Sequence, residues 1–182
     1  MDLKINGKRA LVMGASRGLG RAVAEGLLAE GVEVIAVSRN ADAIRDWAKD
    51  MPHLTAMAAD LSDLASVDAL IEAVLVKGGV DILVNNSGGP APGTAATTAR
   101  ADWLVQFEAM AANLFHLTGR LLPGMKERKW GRVITIASSG VEQPIPNLAL
   151  SNGIRAAVVG WSKTHAAEVA ADGVTVNIVM PG

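Results

Sequence analysis

Short apolar runs alternate along the chain with stretches in which apolar residues recur every three or four positions. The runs at 8–13, 32–37, 54–58, 80–84, 131–136 and 174–179 read as strands. Their apolar residues are consecutive, which suits parallel strands covered on both faces. The segments 18–30, 40–51, 63–77, 100–128 and 150–171 read as helices. In the first, Leu19, Ala22, Val23, Leu27 and Ala29 form an apolar side, and Gly31 ends it. In the second, Ala41, Ile44, Trp47 and Ala48 fall at helical spacing and Pro52 stops it. Ser62 is the expected N-cap of the third. The long segment 100–128 is expected to loosen near Pro123-Gly124. Segment 89–98, rich in Gly, Pro, Ala and Thr, reads as a flexible loop, and 141–148, with two prolines, as another loop.

Strand and helix alternate from end to end, and parallel neighbours need helical crossovers. The pattern therefore predicts an α/β fold: a Rossmann-type doubly wound parallel sheet in three α/β/α layers, one domain over 1–182. Ligands of such sheets bind beyond the carboxyl ends of the strands, where the winding reverses. The segment 14–20, Asp60, the run 85–88, Ser138 and Pro181 all fall at such ends and are expected to converge on one edge.

Composition narrows the reading. The 182 residues carry a formal net charge of −1, and 50% are hydrophobic. That charge provides no footprint for nucleic acid and no polybasic membrane patch. There are no cysteines, hence no disulfide framework or thiol nucleophile. His53, His116 and His165 are too widely spaced to suggest a metal site. No apolar run is long enough to span a bilayer, and the first residues lack a signal-peptide core, so a cytoplasmic protein is expected. The chain contains no tyrosine.

The most informative stretch is Met13-Gly14-Ala15-Ser16-Arg17-Gly18-Leu19-Gly20. Three glycines sit where a strand must become a helix, the arrangement that brings backbone N–H groups and a helix N-terminus to a phosphate. The strand at 32–37 is followed by Ser38-Arg39-Asn40 instead of the carboxylate that holds a ribose 2′-OH in NAD sites. Arg17 lies in the glycine loop nearby, and two guanidinium groups suit a 2′-phosphate. The expected cofactor is therefore NADP(H) in preference to NAD(H).

These motifs, with Asn85-Asn86-Ser87-Gly88 and Val176-Asn177-Ile178-Val179-Met180-Pro181-Gly182, resemble the short-chain dehydrogenase/reductase family over essentially the whole chain. Leu122-Pro123-Gly124-Met125 is similar to a segment of its 3-oxoacyl-carrier-protein-reductase-like members. Met13 stands where the family usually has threonine. The resemblance implies a cofactor site of Gly14, Ser16, Arg17, Gly18, Leu19, Gly20, Ser38, Arg39, Asp60, Leu61, Asn86, Ser87, Gly88, Arg155, Pro181 and Gly182. In it Gly14, Gly18 and Gly20 admit the pyrophosphate and Asp60 meets the adenine amino group. Asn86 and Gly88 line the ribose and nicotinamide side, and Pro181-Gly182 brace the nicotinamide. The resemblance also implies a homodimer or homotetramer. The faces would come from the two long helices, where Trp103, Phe107 and Trp161 stand out.

The catalytic half departs from the family's Asn, Ser, Tyr, Lys tetrad. Ser138 matches the serine, but Met110 stands at the asparagine position, Ser151 at the tyrosine and Arg155 at the lysine. A serine hydroxyl is much less acidic than a phenol, and arginine keeps its proton. Met110 cannot hold the relay water of the family's asparagine. None of the three histidines is placed to replace the missing acid, His53 lying at the opposite end of the sheet. The chain as given stops at Gly182, where family members continue into a lid and a last strand. Two functions from different classes follow. One is an oxidoreductase acting on a carbonyl or alcohol, 3-oxoacyl thioesters included, with Ser138, Ser151 and Arg155 at the reacting oxygen. The other is an NADP(H)-binding protein with impaired chemistry and a regulatory or scaffold role.

Overall fold

The computed structural model describes residues 2–182. Six parallel strands form one sheet in the order β3-β2-β1-β4-β5-β6. They are β1 (Arg9–Met13), β2 (Glu33–Ser38), β3 (Leu54–Ala58), β4 (Ile82–Asn85), β5 (Gly131–Ile136) and β6 (Val174–Val179). The register of β1 sets Val12 beside both Ala36 and Val84, and the winding reverses between β1 and β4. The doubly wound α/β sheet expected from the alternation of elements is the observed one.

Among the described residues, six α-helices cover the faces: α1 (Gly18–Ala29), α2 (Asp42–Trp47), α3 (Leu64–Val76), α4 (Arg100–Phe107), α5 (Asn113–Glu127) and α6 (Ala149–Val169). Leu70, Ile71, Leu117 and Met125 from α3 and α5 pack over Leu11, Leu83 and Val133 on one face. Ala24 of α1 and Ile44 of α2 pack over Val12, Ala36 and Val84 on the other. Each central strand therefore buries both faces, which is why its apolar residues run consecutively.

Several boundaries differ from the sequence expectation for local reasons. Helix α2 ends at Trp47, so the pattern at 40–51 overstates it. Asp63, not Ser62, caps α3, its carboxylate accepting the Ala65 N–H at 3.0 Å, while Ser62 donates to Asp60. Pro123 sits inside α5 without breaking it. The loosening falls upstream instead, as a π-helical turn over Glu108–Ala112 between α4 and α5. Segment 89–98 is pinned, because Gly93 N–H donates to the Asn147 carbonyl and Ala149 N–H donates to the Gly93 carbonyl. These two bonds tie it to the residue two before α6 and to the first residue of α6.

Candidate active site

The turn from β1 into α1 is built by close backbone approach. Gly14 and Gly18 have φ of 65° and 58°, a left-handed conformation that side chains disfavour. Gly20 is buried under the loop, where a Cβ would run into the Gly14 carbonyl, so α1 can start tight against β1 only with glycine there. Asn86, just past β4, ties down the same turn, its amide donating to the Met13 carbonyl at 3.2 Å and the Gly14 carbonyl at 3.4 Å. Among the described residues no side chain caps the N-terminus of α1, which leaves its first N–H groups available to an anion.

A cleft of about 710 Å³ opens over this turn at the carboxyl edge of the sheet. Gly14, Ser16, Arg17 and Gly18 line one part, Ser38 and Arg39 another, and Asp60, Leu61, Asn86, Ser87 and Gly88 the rest. Arg17 and Arg39 are exposed on its rim. The Ser62 N–H and hydroxyl both donate to Asp60 Oδ1, at 2.9 and 2.7 Å. These bonds hold the Asp60 carboxyl below the usual carboxylate range, and Arg39 adds to the effect. Gly20 is buried and Leu19 exposed, and neither lines the cleft.

Val105, Gln106, Ala109 and Met110, from α4 and the π-helical turn, also line this cleft. Sequence reading assigned Met110 only to a tetrad position and missed the other three. A π-turn shifts helix register by a residue, and no periodicity argument anticipates it. Met110 is 2% exposed and packs with Leu150, Ile154 and Val158 of α6. Three residues on, Asn113 is also buried and its amide donates to the Leu61 carbonyl at 2.8 Å.

Ser138, Ser151 and Arg155 lie outside that cleft, at the end of β5 and the start of α6. Ser138 begins a 3-10 turn and its hydroxyl oxygen accepts the Gly140 N–H at 3.1 Å. Arg155 reaches across from α6 and donates to the Ile136 carbonyl at 2.9 Å and, through Nε, to Ser151 Oγ at 3.3 Å. Burial pulls its pKa below the ordinary arginine value, yet the side chain stays cationic. Pro181 is beside Ser138 as well, its carbonyl accepting the Ser139 N–H at 2.9 Å. Gly182 is exposed.

Asn152 was not anticipated. Its amide donates to the Ile145 carbonyl at 2.9 Å, and its oxygen lies 2.6 Å from where a Gly140 Cβ would be. The histidines stand apart from these groups. His116 pairs with Asp68 at 2.7 Å, His165 stacks on Trp161, and His53 lies at the amino-terminal edge beside Arg9 and Glu33.

A parallel doubly wound sheet with a glycine turn at its switch point defines a Rossmann-like α/β protein. Residues 8–182 match the family model of the short chain dehydrogenases, and the chain belongs to that family. It is 37% identical over 186 residues to the 3-oxoacyl-(acyl-carrier-protein) reductase FabG of Vibrio cholerae, covering 99% of this chain and 75% of that protein. The Escherichia coli FabG matches to the same extent. Among solved structures, L-sorbose reductase from Gluconobacter frateurii, complexed with NADPH and L-sorbose, superposes with a TM-score of 0.94 at 35% identity. That match covers 100% of this chain and 72% of the reductase. A variant of actinorhodin polyketide ketoreductase with NADPH gives 0.89 at 34% identity, over 97% of this chain and 70% of that one. The family and these relatives are oxidoreductases.

Proposed function

We propose that the chain is an NADP(H)-dependent oxidoreductase acting on a carbonyl or alcohol, with 3-oxoacyl thioesters as the first substrates to try. The observation that carries this reading is the pair of exposed arginines, Arg17 and Arg39, on the rim of the cleft. The residues after β2 offer no carboxylate for a ribose 2′-OH. A 2′-phosphate finds two guanidinium partners there, each able to make bidentate bonds. The uncapped N-terminus of α1 and the left-handed glycines fit a pyrophosphate against bare backbone. Asp60 keeps its charge at neutral pH and can accept from an adenine amino group. The NADPH complexes of L-sorbose reductase and actinorhodin ketoreductase support the same choice.

A nicotinamide held against Asn86, Ser87 and Gly88 would supply or accept the hydride. Ser138 holds the reacting oxygen, and Arg155 adds positive charge behind Ser151. With no tyrosine in the chain, the proton that completes the alcohol comes from water or through Ser151. One observation favours a second reading, a nucleotide-binding protein with impaired chemistry. Arg155 spends donors on Ile136 and Ser151, whereas the family's lysine serves a proton-transferring tyrosine.

The test is NADPH and NADH titration by fluorescence, alongside NADPH oxidation with short 3-oxoacyl thioesters and simple ketones. Tight NADPH binding with turnover supports the first reading. Tight binding without turnover across the panel supports the second, and tighter NADH binding contradicts both.

A further inference from the structure

We infer that the protein binds a structural water between Asn85 of β4 and Thr135 of β5. The site stands whether or not the cleft takes a nucleotide. Asn85 and Thr135 are 1% and 2% exposed, and they are direct partners in the register of β4 and β5. Paired positions on neighbouring parallel strands point to the same face of the sheet. Asn85 shows which face this is, because its Nδ2 donates to Thr118 Oγ1 of α5 at 3.0 Å. The Thr118 hydroxyl in turn donates to the Leu114 carbonyl at 2.7 Å. With its one proton spent there, Thr118 Oγ1 can only accept. That fixes the Asn85 amide with its NH2 group toward α5 and its Oδ1 turned away. Among the described residues, Asn85 Oδ1 and Thr135 Oγ1 are both buried polar atoms with no hydrogen-bond partner in the protein.

Left unpaired, each of these atoms carries the full penalty of its lost hydration. The two are complementary, since a hydroxyl can donate and an amide oxygen only accepts. Side chains at paired positions of neighbouring strands start about 4.8 Å apart. One water with a bond of about 2.8 Å on each side spans up to about 5.6 Å, so the strand spacing itself matches a single bridging molecule. Thr135 donates to this water, and the water donates to Asn85 Oδ1. A polar pair of this kind is what holds buried water, whereas an apolar void stays dry. The water extends the series Leu114, Thr118, Asn85 to β5, and so fastens the end of β4 to both α5 and β5. The next residue along is Asn86, whose amide ties down the β1–α1 turn.

The test joins a high-resolution crystal structure of the full chain with the variant Thr135→Val. In the parent, an ordered water should lie within hydrogen-bond distance of both Asn85 Oδ1 and Thr135 Oγ1. Valine keeps the shape of threonine and removes the hydroxyl, so the bridge loses its donor. The folding equilibrium constant from chemical denaturation should then fall by about tenfold. If the two atoms are unpaired in solution, the same substitution removes a penalty, and the variant is as stable as the parent or more so. That result refutes the site. A parent density map with no water there, or with a direct bond between Thr135 and Asn85, refutes it as well. Thr135→Ser, which keeps the hydroxyl, should retain the water in its own crystal structure. Should Thr135→Val fail to fold, the maps of the parent and of Thr135→Ser decide the question.

Discussion

Single residues decide the geometry of the cofactor turn. Gly20 is the sharpest case, because its missing Cβ lets α1 begin against the Gly14 carbonyl. Gly20→Ala should push the loop off β1, lower stability by about 1–3 kcal/mol as overpacking does, and reduce NADPH affinity. Chemical denaturation and a nucleotide titration check the two effects. Asp60 bears on pH. Its pKa is lowered in the folded chain, so the stability it contributes is present above its unfolded value of 3.8 and fades as pH falls through the folded one. The Asp60→Asn variant should therefore lose less stability than the parent between about pH 5 and pH 2, seen in melts across that range. The glycines, Asp60 and both rim arginines were legible in the sequence because their residue types are read by local chemistry. Asn152 and the Arg155 bond to Ile136 were not, since each joins segments that meet only after folding.

At the level of elements, the strands were readable and the helix details less so. Consecutive apolar residues mark strands buried on both faces whatever their partners, and all six appear within two residues of their expected bounds. Helix ends depend on finer competition. Ser62 looked like the cap of α3, but its hydroxyl is taken by Asp60, and the cap passes to Asp63. Asp63→Ala should cost about 1 kcal/mol of stability, while leaving the cofactor turn in place, as denaturation with and without NADPH would report. The helical segment after the pinned loop holds the larger surprise. Pro123 was the obvious candidate for a break, yet the irregular turn is at Glu108–Ala112, where Met110 meets both α6 and the cleft. Met110 and Ala111 of that turn pack against Leu150, Ile154 and Val158 of α6, and no feature of the local sequence signals it.

Across the whole molecule, the switch point between β1 and β4 gathers Gly14 and Gly18, the arginines, Asp60, Asn86, Ser87 and Gly88 into one cleft. The serine and arginine groups of β5 and α6 lie on the same edge but outside that cleft. Among the described residues, no helix is long and apolar enough to cross a membrane. Leu104, Val105 and Phe107 are exposed on α4, and Phe115 stacks on Trp161 at 4.3 Å between α5 and α6. These helices would supply the face of a homodimer or homotetramer, so light scattering at micromolar concentration should return a multiple of the 18.8 kDa chain mass. A monomeric mass would count against that assembly. If Arg17 and Arg39 hold the 2′-phosphate of NADP(H) in this cleft, the ratio of NADPH to NADH affinity in the parent and in Arg39→Ala reports it. NADPH should bind more tightly than NADH in the parent, and the variant should lose about tenfold for NADPH alone, in line with one charge-assisted contact. Tighter NADH binding by the parent, or an equal loss for both nucleotides, would contradict it.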